Sequence, residues 1–409
     1  MTDPKQISTL DYTYNLPKER IASFPLEERD SSKLLIAENG SLSDDVFHNI
    51  TNYLPEDSLI VFNNTRVVQA RLEFFKQSGA RIEIFCLDPC GDVNDVQVAL
   101  MENSSAKWNC LVGNAKKWKN NEELVLQHAD NDFVLKAGLI GKQEETRQVQ
   151  FSWMPKEKSF AEMLELFGKT PLPPYIERKA VEQDKSRYQT IFADKNGSVA
   201  APTAGLHFSD KVLENLNKKK ISRANLTLHV GAGTFKPVSA KVIKDHSMHA
   251  EQIVVEKKAL EQLKYYCNKN IISVGTTSLR TLETLYWWGV KIHNGLYPED
   301  HYFNLDQWFP YENNLKLIST KLAIDELLSY MERSKLEFIR GETELIIVPG
   351  YHFKLVDILI TNFHQPGSTL LLLVAAFFGE RWKEAYQYAL DNEFRFLSYG
   401  DSCLFFKSR

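Results

Sequence analysis

The chain has 409 residues, 43% hydrophobic and 25% charged, with 24 Phe. That is core material for two or three domains and excludes disorder as the dominant state. The longest apolar run, Leu370 to Phe378, is too short to span a bilayer, the start lacks the regions of a signal peptide, and five scattered Cys form no disulfide framework, so a soluble, cytoplasmic protein without membrane contact is expected. The 49 basic and 53 acidic residues leave a net charge of −4, which by itself argues against a nucleic-acid partner.

In chain order, Leu59-Ile60-Val61-Phe62 reads as a buried strand running into the polar turn Asn63-Asn64-Thr65. From about Arg71 to Trp153, short segments such as Arg81 to Phe85, Val96 to Leu100 and Arg147 to Phe151 partly alternate polar and apolar, which predicts strands of a small antiparallel barrel or sandwich. After Pro171-Leu172-Pro173-Pro174 strands alternate with helices. Helices are predicted over Val255 to Asn268, Thr281 to Trp288 and Ala323 to Lys335, with a closing pair over Ser368 to Phe378 and Glu380 to Asn392; strands are predicted over Ile271 to Val274 and Val356 to Ile360. This alternation indicates an α/β domain. Residues 289 to 340 fit neither pattern cleanly and read as an insertion.

Two strand-to-helix junctions carry chemistry-bearing residues. Val274-Gly275-Thr276-Thr277-Ser278-Leu279-Arg280 places hydroxyls and a guanidinium at a helix start, suited to a carboxylate or phosphate, although an N-cap with a surface Arg fits the same string. Ile360 to Thr369 places Asn362 and His364 at a strand end, where α/β sheets bind ligands. Small residues in Ala200 to Phe208, around Thr203, Gly205 and His207, allow close approach of a ligand to the backbone. Leu228 to Phe235 holds Gly231 and Gly233 but lacks the third Gly of a dinucleotide loop, so it is weak evidence for one. His246-Ser247-Met248-His249-Ala250-Glu251 admits a metal, but acid/base work by His249 or Glu251 suits it better, and Cys86 and Cys90 lack the partners an iron–sulfur cluster needs. Between Lys169 and Arg223 eleven basic residues face six acidic ones, ending in Lys218-Lys219-Lys220, and Lys107, Lys116, Lys117 and Lys119 surround Trp108 and Trp118. Such surfaces are solvated faces or phosphate-tracking ones.

Taken in order, these strings resemble the S-adenosylmethionine:tRNA ribosyltransferase-isomerase family of queuosine biosynthesis. The resemblance rests on Asp11-Tyr12 to Leu16-Pro17, Pro25 to Asp30, Phe62 to Val67, Leu172 to Ile176, Tyr188-Gln189-Thr190, Ala201 to Phe208, Leu228 to Phe235, His246 to Glu251, Val274 to Thr281, Thr361 to Leu372 and Phe396 to Asp401. It implies an α/β body, residues 1–66 and 155–409, with an inserted small antiparallel β-barrel over 67–154. It also implies transfer of the ribosyl part of S-adenosylmethionine to 7-aminomethyl-7-deazaguanine at the tRNA wobble position, giving epoxyqueuosine, adenine and methionine. Each step is proton transfer plus orientation, so neither metal nor other cofactor is expected; S-adenosylmethionine is a consumed substrate.

On that reading His207, His249 and Glu251 are the acids and bases. Thr276, Thr277 and Arg280 hold a carboxylate or phosphate, and Asn362 and His364 line the pocket with Thr203, Gly205, Gly231 and Gly233. Lys218, Lys219, Lys220 and Arg223 face tRNA, and a monomer is expected. The sequence departs from the family pattern at Val112 to Lys117, Asn64, Ser209, Gln365 and Gly367, and in the length of the 289–340 insertion. The insertion and the Val112 to Lys117 string lie on surfaces expected to meet tRNA. Competing readings are a paralogue with another acceptor, a methyltransferase using Gly231-Ala232-Gly233, and a non-catalytic tRNA-binding protein.

Overall fold

Short runs buried at every position build the middle of a large sheet, and alternating runs build a second, smaller one. The computed structural model describes residues 3–38, 40–91, 94–119, 121–128, 132–143, 145–231, 233, 238, 240–312 and 315–407. In chain order the first strands are β1 (Lys33–Glu38), β2 (Ser41–Val46), β3 (Leu59–Asn63) and β4 (Thr65–Val67). There follow β5 (Arg71–Phe75), β6 (Arg81–Pro89), helix α1 (Val96–Met101), β7 (Ser105–Gly113), β8 (Leu124–Gln127), β9 (Val134–Gln143) and β10 (Thr146–Met154). Next come α2 (Phe160–Phe167), α3 (Glu182–Arg187), β11 (Lys195–Ser198), α4 (Asp210–Lys218), β12 (Ser222–Leu228), β13 (Glu251–Glu256), α5 (Lys257–Tyr266), β14 (Ile271–Val274) and α6 (Gly275–His293). The chain ends with β15 (Tyr302–Leu305), α7 (Phe309–Glu312), α8 (Thr320–Ser334), β16 (Phe338–Thr343), β17 (Ile358–Asn362), α9 (Thr369–Phe378), α10 (Trp382–Asp391) and β18 (Ser402–Phe406).

Ten strands form the large sheet, in the order β15-β16-β13-β12-β3-β14-β17-β18-β1-β2. Its centre, β12-β3-β14-β17, is parallel. β18 runs antiparallel to β17, and β13 antiparallel to β12, so the sheet is mixed. β5 to β10 form the second sheet, ordered β5-β6-β7-β10-β9-β8 with every neighbour antiparallel. Its edge strands β5 and β8 lie against each other, which makes a nearly closed six-stranded barrel. The barrel has its own core, in which α2 inserts Phe160 among Trp108, Phe151 and Trp153. Ser159 and Glu162 close a capping box at the start of that helix.

Three local readings need correction. Val96 to Leu100 is a helix, because the Asp95 side chain accepts from the Gln97 and Val98 amides and caps the turn. The predicted helix from Val255 begins two residues later, since Val255 still pairs in β13 with β16. Residues 289 to 340 contain α8 and add β15 and the start of β16 to the large sheet; α6 runs into this stretch as far as His293. Gly289 allows close contact there: a Cβ on it would stand 2.2 Å from the Ala323 carbonyl oxygen of α8. Among the described residues no helix is long and apolar enough to cross a membrane.

Candidate active site

The ends of the parallel strands determine where a ligand is held. Strands β14 and β17 are adjacent and parallel, and the connections leaving their C-terminal ends meet a third segment, Ala200 to Ala204, which follows β11. They enclose a pocket open to solvent, in the position of a small-molecule site in a sheet of this kind. Gly275, at φ +87°, turns the chain from β14 directly into α6. No side chain caps that helix, so its first amides point outward with the positive end of the helix dipole. Leu397, in the pocket wall, is held in the left-handed region at φ +69°, a strained conformation for this side chain.

Three buried polar atoms of the pocket's lining residues have no partner among the described residues: Thr277 Oγ1, Arg280 Nη2 and Asn362 Oδ1. The other atoms of these side chains are committed. Arg280 donates through Nε to the Leu345 carbonyl at 3.0 Å and through Nη1 to the buried carboxylate of Glu251. The Asn362 amide nitrogen donates to His207 Nε2 at 3.0 Å. His364 bonds the Thr361 hydroxyl through Nε2 at 3.0 Å, and burial pulls its pKa down to about 3.

A second and larger groove, about 900 Å³, lies between the barrel and the body and shares Val230 with the pocket. Its body wall carries His229, Gly231, Gly233 and His249, and its barrel wall carries Asp88 and Asp95. His229 follows β12 and is 5% exposed. Its Nδ1 meets the Thr65 hydroxyl at 3.1 Å, while among the described residues Nε2 has no partner. Burial lowers the His229 pKa to about 4.

Residues 9–405 match the model of a family described as "Queuosine biosynthesis protein". The chain is 38% identical over 402 residues to an S-adenosylmethionine:tRNA ribosyltransferase-isomerase of Finegoldia magna, covering 97% of both chains. It is 36% identical to one from a Sulfurihydrogenibium species, covering 96% of this chain and 98% of that one. A solved S-adenosylmethionine tRNA ribosyltransferase from Thermotoga maritima is 28% identical, with a TM-score of 0.45, over 96% of this chain and 99% of that one. The chain belongs to the queuosine biosynthesis family.

Within this family member, the structure brings Thr203, Thr276, Thr277, Arg280, Asn362 and His364 to one pocket. Gly231, Gly233 and His249 line the groove instead. Gly205 lines neither: a Cβ there would stand 2.8 Å from both Phe192 and Thr190, so its missing side chain serves packing. His207 lies behind the pocket wall. Its Nδ1 meets Ser32 Oγ at 2.8 Å, its Nε2 accepts from Asn362, and burial lowers its pKa to about 4, which makes it a neutral support for Asn362 rather than a proton carrier. Glu251 is taken up by Arg280 in a buried pair and is not a free base; among the described residues no three His, Cys, Asp or Glu side chains are grouped to hold a metal ion.

Lys218, Lys219, Lys220 and Arg223 sit at the starting end of the parallel strands, in and just before β12. Ser222 is in register with Leu59, and Leu59 with Ile271, at the start of the parallel strands, whereas the pocket lies beyond their ends. Lys219 is bound to the Thr51 carbonyl at 2.7 Å. The run is therefore remote from a base held at the pocket. Asn64 is buried, accepting from the Thr227 hydroxyl at 2.7 Å, and presents no surface to RNA. Ala232, Thr234 and Phe235 of the glycine-rich string lie outside the described residues. His229 lies in that same string. Its Val230 neighbour and its place at a strand end were legible; the missing partner on Nε2 was not.

Proposed function

We propose that the pocket at the ends of β14 and β17 holds S-adenosylmethionine as the donor of the ribosyl group. The reaction is that of an S-adenosylmethionine:tRNA ribosyltransferase-isomerase, with 7-aminomethyl-7-deazaguanine at the tRNA wobble position as acceptor and epoxyqueuosine, adenine and methionine as products. One observation supports the donor site above others: a donor (Arg280 Nη2), a hydroxyl (Thr277) and an acceptor (Asn362 Oδ1) of one pocket's wall are buried and unpaired together. Buried polar atoms are costly unless a partner arrives, so such a set fits a polar ligand. The donor's carboxylate suits Arg280, Thr277 and the free amides of α6, and its hydroxyls or amino groups suit Asn362.

The sulfonium acidifies the adjacent 5′ carbon, so a base can form a stabilised ylide there. Ring opening expels adenine with a proton, and the neutral aminomethyl group attacks before closure to the epoxide releases methionine. These are proton transfers and positioning, and the proposal needs no metal or redox cofactor. With His207 and Glu251 committed elsewhere, His249, exposed on the groove, is the proton carrier in this reading.

Thr277→Val keeps the shape and removes the hydroxyl, and Arg280→Lys keeps the charge opposite Glu251. Each is expected to weaken S-adenosylmethionine binding about tenfold, read by calorimetry and by the KM for adenine release. Unchanged binding in both variants would place the donor elsewhere.

A further inference from the structure

The unpaired His229 Nε2 is not explained by the donor pocket, because that residue lines the groove. Four features of the groove point to one class of ligand. It is about 900 Å³, room for one extruded base. Its charged lining is mostly acidic, Glu83, Asp88, Asp95 and Glu342 against Arg71, so a cationic group is drawn in. His249 lies close enough across the opening to act electrostatically on Asp88 of β6. Its backbone floor is close-packed: a Cβ on Gly197 would meet His229 Nδ1 at 2.4 Å, and one on Gly233 would meet the His249 ring at 2.2 Å.

Two contacts join the groove to the rest of the site. Gln252 of β13 accepts from the Val96 amide at 3.1 Å and donates to the Asn94 carbonyl, which fixes the barrel wall against the body. Val230 borders both cavities, so a base in the groove stands beside a donor in the pocket. A purine-type base with adjacent N–H donors and a primary ammonium arm offers what these walls lack. Carboxylates accept from the donor edge or pair with the arm, and a 95%-buried neutral imidazole completes one further hydrogen bond.

We propose that this groove is the acceptor-base subsite. His229 Nε2 bonds the extruded base, and Asp88 selects its cationic aminomethyl arm. The proposal rests on the donor reading of the neighbouring pocket, and its test separates the two. An anticodon stem-loop carrying the aminomethyl-deazaguanine, and the same stem-loop with guanine at that position, are titrated into wild type, Asp88→Asn and His229→Gln by fluorescence anisotropy. S-adenosylmethionine binding is measured on the same samples by calorimetry.

Asp88→Asn is expected to lose about tenfold in affinity for the aminomethyl loop and little for the guanine loop, with S-adenosylmethionine binding held within about twofold. His229→Gln is expected to weaken both loops. Asp88 is exposed, so its variant folds, which far-UV circular dichroism checks. Equal losses on the two loops in Asp88→Asn, or no loss on either in both variants, overturn the acceptor subsite. Failure of wild type to bind S-adenosylmethionine overturns the donor reading instead.

Discussion

Asn362 divides its amide between two tasks. Its nitrogen is held by His207, and its oxygen is left for the pocket, so the imidazole sets which end of the amide a ligand meets. His207, His229 and His364 are all buried, with pKa values lowered by burial from 6.5 to about 4, 4 and 3. Folded, they stay neutral where the unfolded chain takes up protons, so stability rises with pH across this window. It is fully present above pH 6.5 and is lost as the pH falls toward 4. At about 1.4 kcal/mol per unit, each such histidine removes roughly 3 kcal/mol by pH 4. Urea unfolding between pH 7 and 4.5 is expected to show a shallower decline in His207→Asn than in wild type; parallel declines would mean that His207 is not held neutral. The identities of these residues could be read in the sequence. Their roles could not, because a lone His gives no sign of which of its nitrogens is already bonded.

Helix packing reverses a local preference at Gly289. On propensity alone Ala is better than Gly in a helix by about 1 kcal/mol. In α6 the same position faces α8, where a Cβ would stand 2.2 Å from the Ala323 carbonyl oxygen. Gly289→Ala is therefore expected to destabilise by roughly 1–3 kcal/mol, the range for overpacking. A higher midpoint of denaturant unfolding than wild type would show that the helices do not approach so closely. Long elements such as α8 and α9 were legible from their periodicity, whereas the five residues Val96 to Leu100 were not. So short an apolar run fits strand and helix equally, and the Asp95 cap decides it.

At the scale of the whole molecule, two cores divide the labour. The pocket belongs to the body, while the groove needs the barrel as its second wall. Phe160 is fully buried in the barrel core, so Phe160→Ala is expected to cost about 3–5 kcal/mol there. Transfer to stem-loop RNA should then fall steeply, while calorimetry still records S-adenosylmethionine binding. A matched loss of donor binding would show that barrel and body unfold as one unit.

Composition and pattern by themselves determined an α/β protein carrying a small antiparallel barrel or sandwich, and the order of its motifs pointed to its family, which implied that the small domain is an inserted barrel. They also supplied the six residues that meet in the pocket, because strand-to-helix junctions carry their ligand-facing residues in short, contiguous strings. Only the tertiary structure decided which polar groups are spent on one another. Glu251 and Arg280 are 29 residues apart, and His207 and Asn362 are 155 apart, and nothing local announces either pair. Charge shows the same division. Net −4 argued against nucleic acid, and the basic run at Lys218 to Lys220 argued for it. The fold places that run at the starts of the parallel strands, opposite the pocket, and puts carboxylates in the groove. Where a charge acts depends on which strand end carries it, and strand order is a property of the folded chain.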